Sequence, residues 1–310
     1  MQNQMLSKAG SSFEQIFVIF NMSSGKSVFS DSLERVRKLV KGLRQAYSKS
    51  EVHFVGVDTF AEARLQTKVA CDMQVDLLIV AGGDGTLREV TDMVCKSSYQ
   101  PKMAIFPAGT VNLVAHELDM PVDINAWIKR LMRGEEKVVF PMYANEQLFL
   151  SVAGIGFDSY IVSQVKPAEK QQFGRAAYML HASSLLKKEW QKQFKLTIDG
   201  EELAEQAASV LVLHGKYYAG TYNVIPEARL SDDFFYVCTI SSVVAKDLMK
   251  YVLLLVTGSL LTDSAVQVYK AKNLRITSCL PDFPVQVDGD ILGNLPVEIK
   301  IADKSLCFIK

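Results

Sequence analysis

The chain has no surplus of charge, no paired cysteines and no apolar run long enough to cross a bilayer. Its 34 Lys and Arg residues balance 34 Asp and Glu, for a formal net charge of +0. A general nucleic-acid binder carries a basic excess, so no nucleic-acid partner is expected. The local basic run of Lys187, Lys188, Lys192 and Lys195 reads first as a solvated helix face. The five cysteines, Cys71, Cys95, Cys238, Cys279 and Cys307, are odd in number and form no C-x-x-C pair. That argues against a disulfide framework and fits free thiols in a reducing cytoplasm. The four histidines, His53, His116, His181 and His214, have no metal-ligand spacing. The opening MQNQMLSKAGSSFEQ lacks the apolar centre of a secretory signal. The most apolar later stretch, 251–261, lies between Lys250 and Asp263 and is shorter than the about 20 residues of a membrane span. A buried helix is the expectation there, with a membrane-touching helix as the alternative and no transmembrane segment. No internal repeat or low-complexity linker interrupts the chain.

What remains is a globular composition, 49% hydrophobic and 22% charged, over 310 residues. That length suits two domains or one large one. Strand-like runs at 15–21, 51–57, 77–80 and 102–106 alternate with helical patterns at 33–43, 59–71, 87–94 and 112–118, followed by a helix at 124–133. This alternation predicts a Rossmann-like α/β domain with a mostly parallel sheet. Ligands bind such sheets beyond the carboxyl ends of the strands. Three of those ends carry polar or glycine-bearing loops, at 21–26, 82–86 and 107–112.

From about residue 140 the pattern changes to short strands and turn signals. Asp199-Gly200 after FKLTI marks a hairpin. Further strands are expected at 210–213, 234–240, 266–269, 274–277 and 285–287, with helical insertions near 173–190 and 243–260. This half reads as an antiparallel β-sandwich or barrel-like domain. The expected division is 1–140, completed by 297–310, and 141–296.

The stretch 75–90, VDLLIVAGGDGTLREV, is the most informative. A buried strand, a glycine turn and a helix start in that order make an anion site, because the helix start presents free N–H groups and glycine permits φ > 0 and close backbone approach. Phosphate is the natural guest. Asp84 would repel a bare phosphate and makes sense beside a cation or a proton transfer. Two familiar phosphate loops are excluded by counting. Gly25-Lys26-Ser27 would end a Walker A loop only with glycine at position 20, which is Phe. A G-x-G-x-x-G loop from Gly83 needs glycine at position 88, which is Arg. There is no G-x-S-x-G elbow.

GGDGT recurs in enzymes that transfer phosphate from ATP without a P-loop, and other segments sharpen the match. FNMSSGK (20–26) resembles Asn-Pro-x-Ser-Gly-Lys. PAGTVNLVAHEL (107–118) resembles Pro-x-Gly-Thr-x-Asn-Asp-(apolar)-Ala-Arg-x-Leu, and VAGIGFDSYIV (152–162) a Gly-(apolar)-Gly-Phe-Asp-Ala stretch. GTYNVIPEARLSDDFFYV (220–237) is similar to a glycine triplet followed by Pro-x-Ala-x-x-x-Asp-Asp-Gly, and VQVDGD (285–290) to an Asp-Gly-Glu turn. Together, in this order, they resemble the diacylglycerol kinase catalytic-domain family, which includes bacterial lipid kinases and sphingosine and ceramide kinases within an NAD kinase-like superfamily. The chain departs from that pattern at Met22, Leu113, His116-Glu117, Thr221-Tyr222, Phe234 and Asp290.

The resemblance implies an ATP- and Mg2+-dependent lipid kinase whose acceptor is diacylglycerol or a related lipid. It implies a cytoplasmic protein visiting the inner membrane face, and leaves a homodimer open. Gly82, Gly83, Gly85 and Thr86 would hold the phosphates, with Asn21, Ser24 and Lys26 closing from the first loop. Thr59 and Thr110 stand where the family contacts nucleotide; each also suits a helix N-cap. Asn112 would tie the loops together. The base would be Asp288 or Asp290, although Asp288-Gly289 also suits a plain hairpin turn. Asp84 would hold catalytic Mg2+. A structural Mg2+ would sit on Asp233 and the carbonyls of Leu230 and Phe235, and oxygen ligands suit that ion. Asp158 is read either as an acceptor contact or as a structural hydrogen-bonding group. The rival readings are a soluble-substrate kinase of the NAD kinase type and a nucleotide-binding protein without transfer activity.

Overall fold

Strands covered on both faces are apolar along their whole length, and those of the first half fit that rule. β1 (Gln15–Asn21), β3 (Leu77–Gly82) and β4 (Lys102–Pro107) are buried almost throughout, while β2 (Glu51–Val57) at the sheet edge is half exposed. The computed structural model describes residues 13–22, 32–165, 194–241, 245–278 and 283–310. The chain divides into two compact units, one of 1–109, 118–138 and 306–310, the other of 110–117 and 139–305.

The first unit is an α/β layer. Its six-stranded sheet runs β2-β1-β3-β4-β20-β5, where β20 is Leu306–Ile309 and β5 is Glu136–Val139. The pairs β1–β2, β1–β3, β3–β4 and β4–β20 are parallel. Helices α1 (Ser32–Ala46), α2 (Phe60–Asp72), α3 (Asp84–Lys96) and α5 (Ile124–Met132) pack as α1 with α5 and α2 with α3. Leu87, Val90 and Val94, spaced one helical turn apart, are all fully buried and seat α3. Trp127 of α5 donates its indole N–H to the Ile105 carbonyl at 2.8 Å and meets Phe106 edge-on. The chain leaves β1 toward β2 on one side and reaches β3 on the other, so the order reverses between β1 and β3.

The second unit is an antiparallel β-sandwich. One sheet runs β10-β9-β16-β19-β6-β7: Glu201–Glu202, Phe194–Ile198, Asn273–Ser278, Val297–Ile301, Met142–Ala144 and Gln147–Phe149. The other runs β15-β14-β11-β8-β17-β18: Val266–Ala271, Phe235–Ile240, Ser209–Leu213, Val152–Ile155, Pro284–Val287 and Asp290–Asn294. A two-stranded ribbon joins β12 (Tyr217–Tyr218) to β13 (Tyr222–Asn223). The short α4 (Leu113–Glu117) and α6 (Phe157–Gln164) belong to this unit.

Two expectations change. The segment 297–310 does not complete the first unit as a whole: β19 pairs with β16 and β6 in the sandwich, and only β20 joins the parallel sheet. The stretch 251–261 is not a buried helix. In α7 (Ala245–Val256) Tyr251 is buried, but Val252, Leu253 and Val256 are exposed. Among the described residues no helix is long and apolar enough to cross a membrane. The expected helix near 173–190, and Lys187, Lys188 and Lys192 with it, lie outside the described residues.

Candidate active site

The glycine loop sits at the strand-order reversal. β3 ends at Gly82, Gly83 is the N-cap of α3, and Asp84 is its first residue. Gly83 offers no side-chain cap, so the first N–H groups of α3 have no partner supplied by the cap residue. Of the two freedoms expected of these glycines, positive φ is not used: Gly83 has φ −95°, and Gly82 and Gly85 are not among the positive-φ glycines. Space explains Gly82 instead. A Cβ there would stand 2.9 Å from Thr86 Cβ and 3.1 Å from its Oγ1. Thr86 is buried, and its hydroxyl accepts from Asn21 Nδ2 at 2.7 Å. Asn21 ends β1, so this bond spans the reversal point and brings two expected phosphate-loop residues together. The Ala108 N–H donates to the Gly82 carbonyl at 3.1 Å and ties the end of β4 to the same place. Open α/β sheets bind ligands at such a point, and uncapped helix N–H groups favour an anion.

The remaining expected nucleotide contacts are dispersed. Thr59 is the N-cap of α2, its hydroxyl accepting the Glu62 N–H at 3.2 Å. Thr110 is exposed and Asn112 is buried with φ 56°; both fall in the second unit. Ser24 and Lys26 lie outside the described residues. Asp84 is half-buried at the helix start. One carboxylate beside a phosphate cradle suits Mg2+, which is held by one or two carboxylates together with substrate phosphates.

The turn at 288–290 is a hairpin with a second task. Asp288 and Gly289 have φ 46° and 83°, the positive pair that a tight two-residue turn requires between β17 and β18. The Asp288 carboxylate accepts the backbone N–H groups of Leu150, Ser151 and Val152 at 2.9, 3.0 and 3.1 Å. There the chain passes from β7 in one sheet to β8 in the other. Leu150 and Ser151 are buried, and buried N–H groups outside a ladder need an acceptor. Asp288 is therefore committed to holding the crossover. Asp290, half-buried, opens β18 opposite Val287.

At the acidic loop, where a cation is expected on Leu230, Asp233 and Phe235, the one carboxylate of that set is engaged by a lysine. The Asp233 carboxylate holds the Lys272 ammonium at 2.5 Å, and that bond keeps the exposed acid below its ordinary range. The Leu230 carbonyl accepts the Phe140 N–H at 2.9 Å. Phe235 lies in β14 opposite Ala271. Lys270 stands 4.7 Å over the Phe234 ring, where the family pattern has glycine. Asp232 accepts the Arg229 N–H at 3.0 Å, and its carbonyl accepts from the buried His214 ring at 2.9 Å. Burial pushes the His214 imidazole down, toward the neutral form, and the bond to the Asp232 carbonyl opposes that shift. Among the described residues no three His, Cys, Asp or Glu side chains are grouped to hold a metal. Adding EDTA to the nucleotide-free protein is therefore expected to leave its melting temperature unchanged; a drop reversed by Mg2+ would show a structural ion after all.

Sequence reading missed a buried polar cluster. Asp158, wholly buried, accepts from the Tyr218 hydroxyl and from Gln286 Nε2 at 2.6 Å. Of the two readings for Asp158, the structural one is realised in this fold. Nothing about the spacing of Tyr218 and Gln286 marked them; only the Asp in GIGFD was legible.

The comparisons match this geometry. Residues 15–143 match the model of the diacylglycerol kinase catalytic domain, and 151–310 that of the YegS C-terminal NAD kinase beta sandwich-like domain. A diacylglycerol kinase of Staphylococcus carnosus is 27% identical over 279 residues, 90% of this chain and 89% of that protein. One of Staphylococcus epidermidis is 28% identical over 281 residues, 90% and 86% of the two chains. The crystal structure of a candidate diacylglycerol kinase from Bacillus anthracis superposes with a TM-score of 0.78 at 25% identity, covering 96% of this chain and 98% of that one. With both units accounted for, the first by its glycine loop and the second by its sandwich, the chain belongs to the diacylglycerol kinase catalytic-domain family.

Proposed function

We propose that the protein is an ATP-dependent lipid kinase that phosphorylates a hydroxyl of diacylglycerol or a related lipid at the inner face of the membrane. The observation that carries this reading is the uncapped start of α3 at the strand-order reversal, braced by the Asn21–Thr86 bond. The names of the relatives supply the substrate class.

Phosphoryl transfer asks for positioning, charge neutralisation and a proton acceptor. The N–H groups of Gly83, Gly85 and Thr86 hold the phosphates. Mg2+ carried with the nucleotide and held by Asp84 would neutralise charge on the transferring group. Asp290 takes the proton of the lipid hydroxyl; the hydroxyl oxygen bonds to the γ-phosphorus, and the bond to the β-phosphate oxygen breaks, releasing ADP. Asp290 is assigned rather than Asp288 because three amide donors already occupy the Asp288 oxygens. Oxygens engaged by the backbone in this way are not presented to a substrate hydroxyl.

The test is incubation with γ-labelled ATP, Mg2+ and, in separate arms, a total lipid extract and NAD. Label is expected in a lipid and not in NAD. Label in NAD would favour the soluble-substrate reading, and nucleotide binding without transfer in either arm would remove the kinase reading.

A further inference from the structure

The pair of acids at 288–290 stands on a turn held from two directions. One is the Asp288 carboxylate on the amides of 150–152. The other is Gln286, which the catalytic reading does not use. Gln286 is 3% exposed, its Oε1 accepts the Gly289 N–H at 2.9 Å, and its Nε2 donates to Asp158 at 2.6 Å. Its amide orientation follows from chemistry: an N–H on one side needs an oxygen, and a carboxylate on the other needs a nitrogen.

The surrounding backbone is shaped for this arrangement. The register between β17 and β18 shifts between Val285 and Gln286, an irregularity of the kind that re-aims a side chain. Gly154 lies opposite Gln286 in β8; a Cβ there would come within 1.8 Å of Asp158 Oδ2 and 2.7 Å of Gln286 Nε2. Asp158 is in the first turn of α6, fixed by the Gly156–Ser159 pair at its start. Tyr218 reaches the same carboxylate from the ribbon β12–β13. Burial pushes the Asp158 carboxyl up, and the bonds from Tyr218 and Gln286 pull it back.

We infer that Gln286, oriented by Asp158, is the positioning residue of this turn: it holds Gly289 and so sets where the Asp290 carboxylate stands. The inference rests on the assignment of Asp290 above. A turn released by about 1 Å costs a reaction about 100-fold, because proximity and alignment are lost.

Polarity reversal tests it. In Gln286→Glu the new carboxylate faces Asp158. In Asp158→Asn the new amide meets Gln286 with its nitrogen for as long as Tyr218 donates to its oxygen. Turned over, its oxygen accepts from Gln286 and its nitrogen donates to the Tyr218 oxygen, so this variant is the milder of the two. With both changes the hydrogen bonds reform with opposite polarity: the Asn at 158 donates to the Glu at 286, which still accepts from Gly289. Gln286→Glu is expected to lose about 100-fold in kcat at unchanged KM for ATP, Asp158→Asn less, and the double variant to recover to within about threefold of the unsubstituted protein. Amide exchange at Gly289 is read in parallel and needs no activity: fast in Gln286→Glu, slow in the unsubstituted protein and the double. Should the singles fail to fold, Tyr218→Phe, which removes one donor and keeps the ring, is expected to lower kcat about tenfold at unchanged KM. Unchanged kcat in folded Gln286→Glu, or a double no better than it is, overturns the inference, as does slow Gly289 exchange in every variant. If the unsubstituted protein transfers no phosphate while the exchange pattern appears, the kinase reading fails and the hold of Gln286 on the turn stands.

Discussion

Replacing Asp290 by Asn is expected to lower kcat about 1000-fold, in the range that loss of a general base produces. The side chain keeps its size, so the β17–β18 hairpin keeps its shape. ATP affinity and melting temperature are expected to stay near those of the unsubstituted protein, because the proposed phosphate cradle draws on β1, β3 and α3 and not on this hairpin. The measurement is steady-state kinetics with a lipid acceptor beside nucleotide titration. A folded Asp290→Asn protein with kcat within tenfold of the original would remove Asp290 as the proton acceptor.

Two residues away, the consequence is opposite in kind. Asp288→Ala is expected to destabilise the fold by about 3 kcal/mol or more. It removes acceptors for three backbone N–H groups, and a hydrogen bond to a charged group contributes about 1.5–3 kcal/mol. It also puts a β-carbon residue without side-chain support at φ 46°. In a chain of this size that is a fall of about 10 °C in the melting temperature, at about 2–4 °C per kcal/mol. Asp288→Asn, which tolerates that φ and keeps one acceptor oxygen, is expected to lose about half as much. Thermal unfolding of the two variants beside Asp290→Asn separates scaffold from chemistry. A stable Asp288→Ala protein would show that the crossover at Leu150–Val152 needs no anchor.

The turn also shows what was legible in the sequence. Asp288-Gly289 announced a hairpin by composition, and the resemblance announced a base. Choosing between the two acids required knowing where the unpaired amides of 150–152 lie, about 140 residues away in sequence. The first unit was legible because its strands are continuous apolar runs and its helices show their period, as Leu87, Val90 and Val94 do. The glycine loop offered both positive φ and close approach, and only the position of Thr86 distinguishes the two: at Gly82 it is close approach. Helix 245–256 misled because its apolar residues, Val252, Leu253 and Val256, face solvent. Composition reports how much apolar surface a segment has and not what covers it. The partner of Asp233 in the acidic loop was equally illegible, because Lys272, whose ammonium it holds, lies 39 residues on, between β15 and β16.

The placement of β20 has a consequence for the order in which the chain can fold. The strand lies between β4 and β5, yet it follows β5 by more than 160 residues, with nearly the whole sandwich intervening. Closing a loop of that length before any contact rewards it is slow. A sandwich that folded first would remove most of that cost. Its entry and exit strands are adjacent, with the Ala302 N–H donating to the Pro141 carbonyl at 2.9 Å, so its formation delivers 306–309 to the neighbourhood of β5. The parallel sheet would then be completed last, as a small local closure. Damage to the sandwich would then surface as a gap in the parallel sheet, even though that sheet supplies the residues nearest the chain's start.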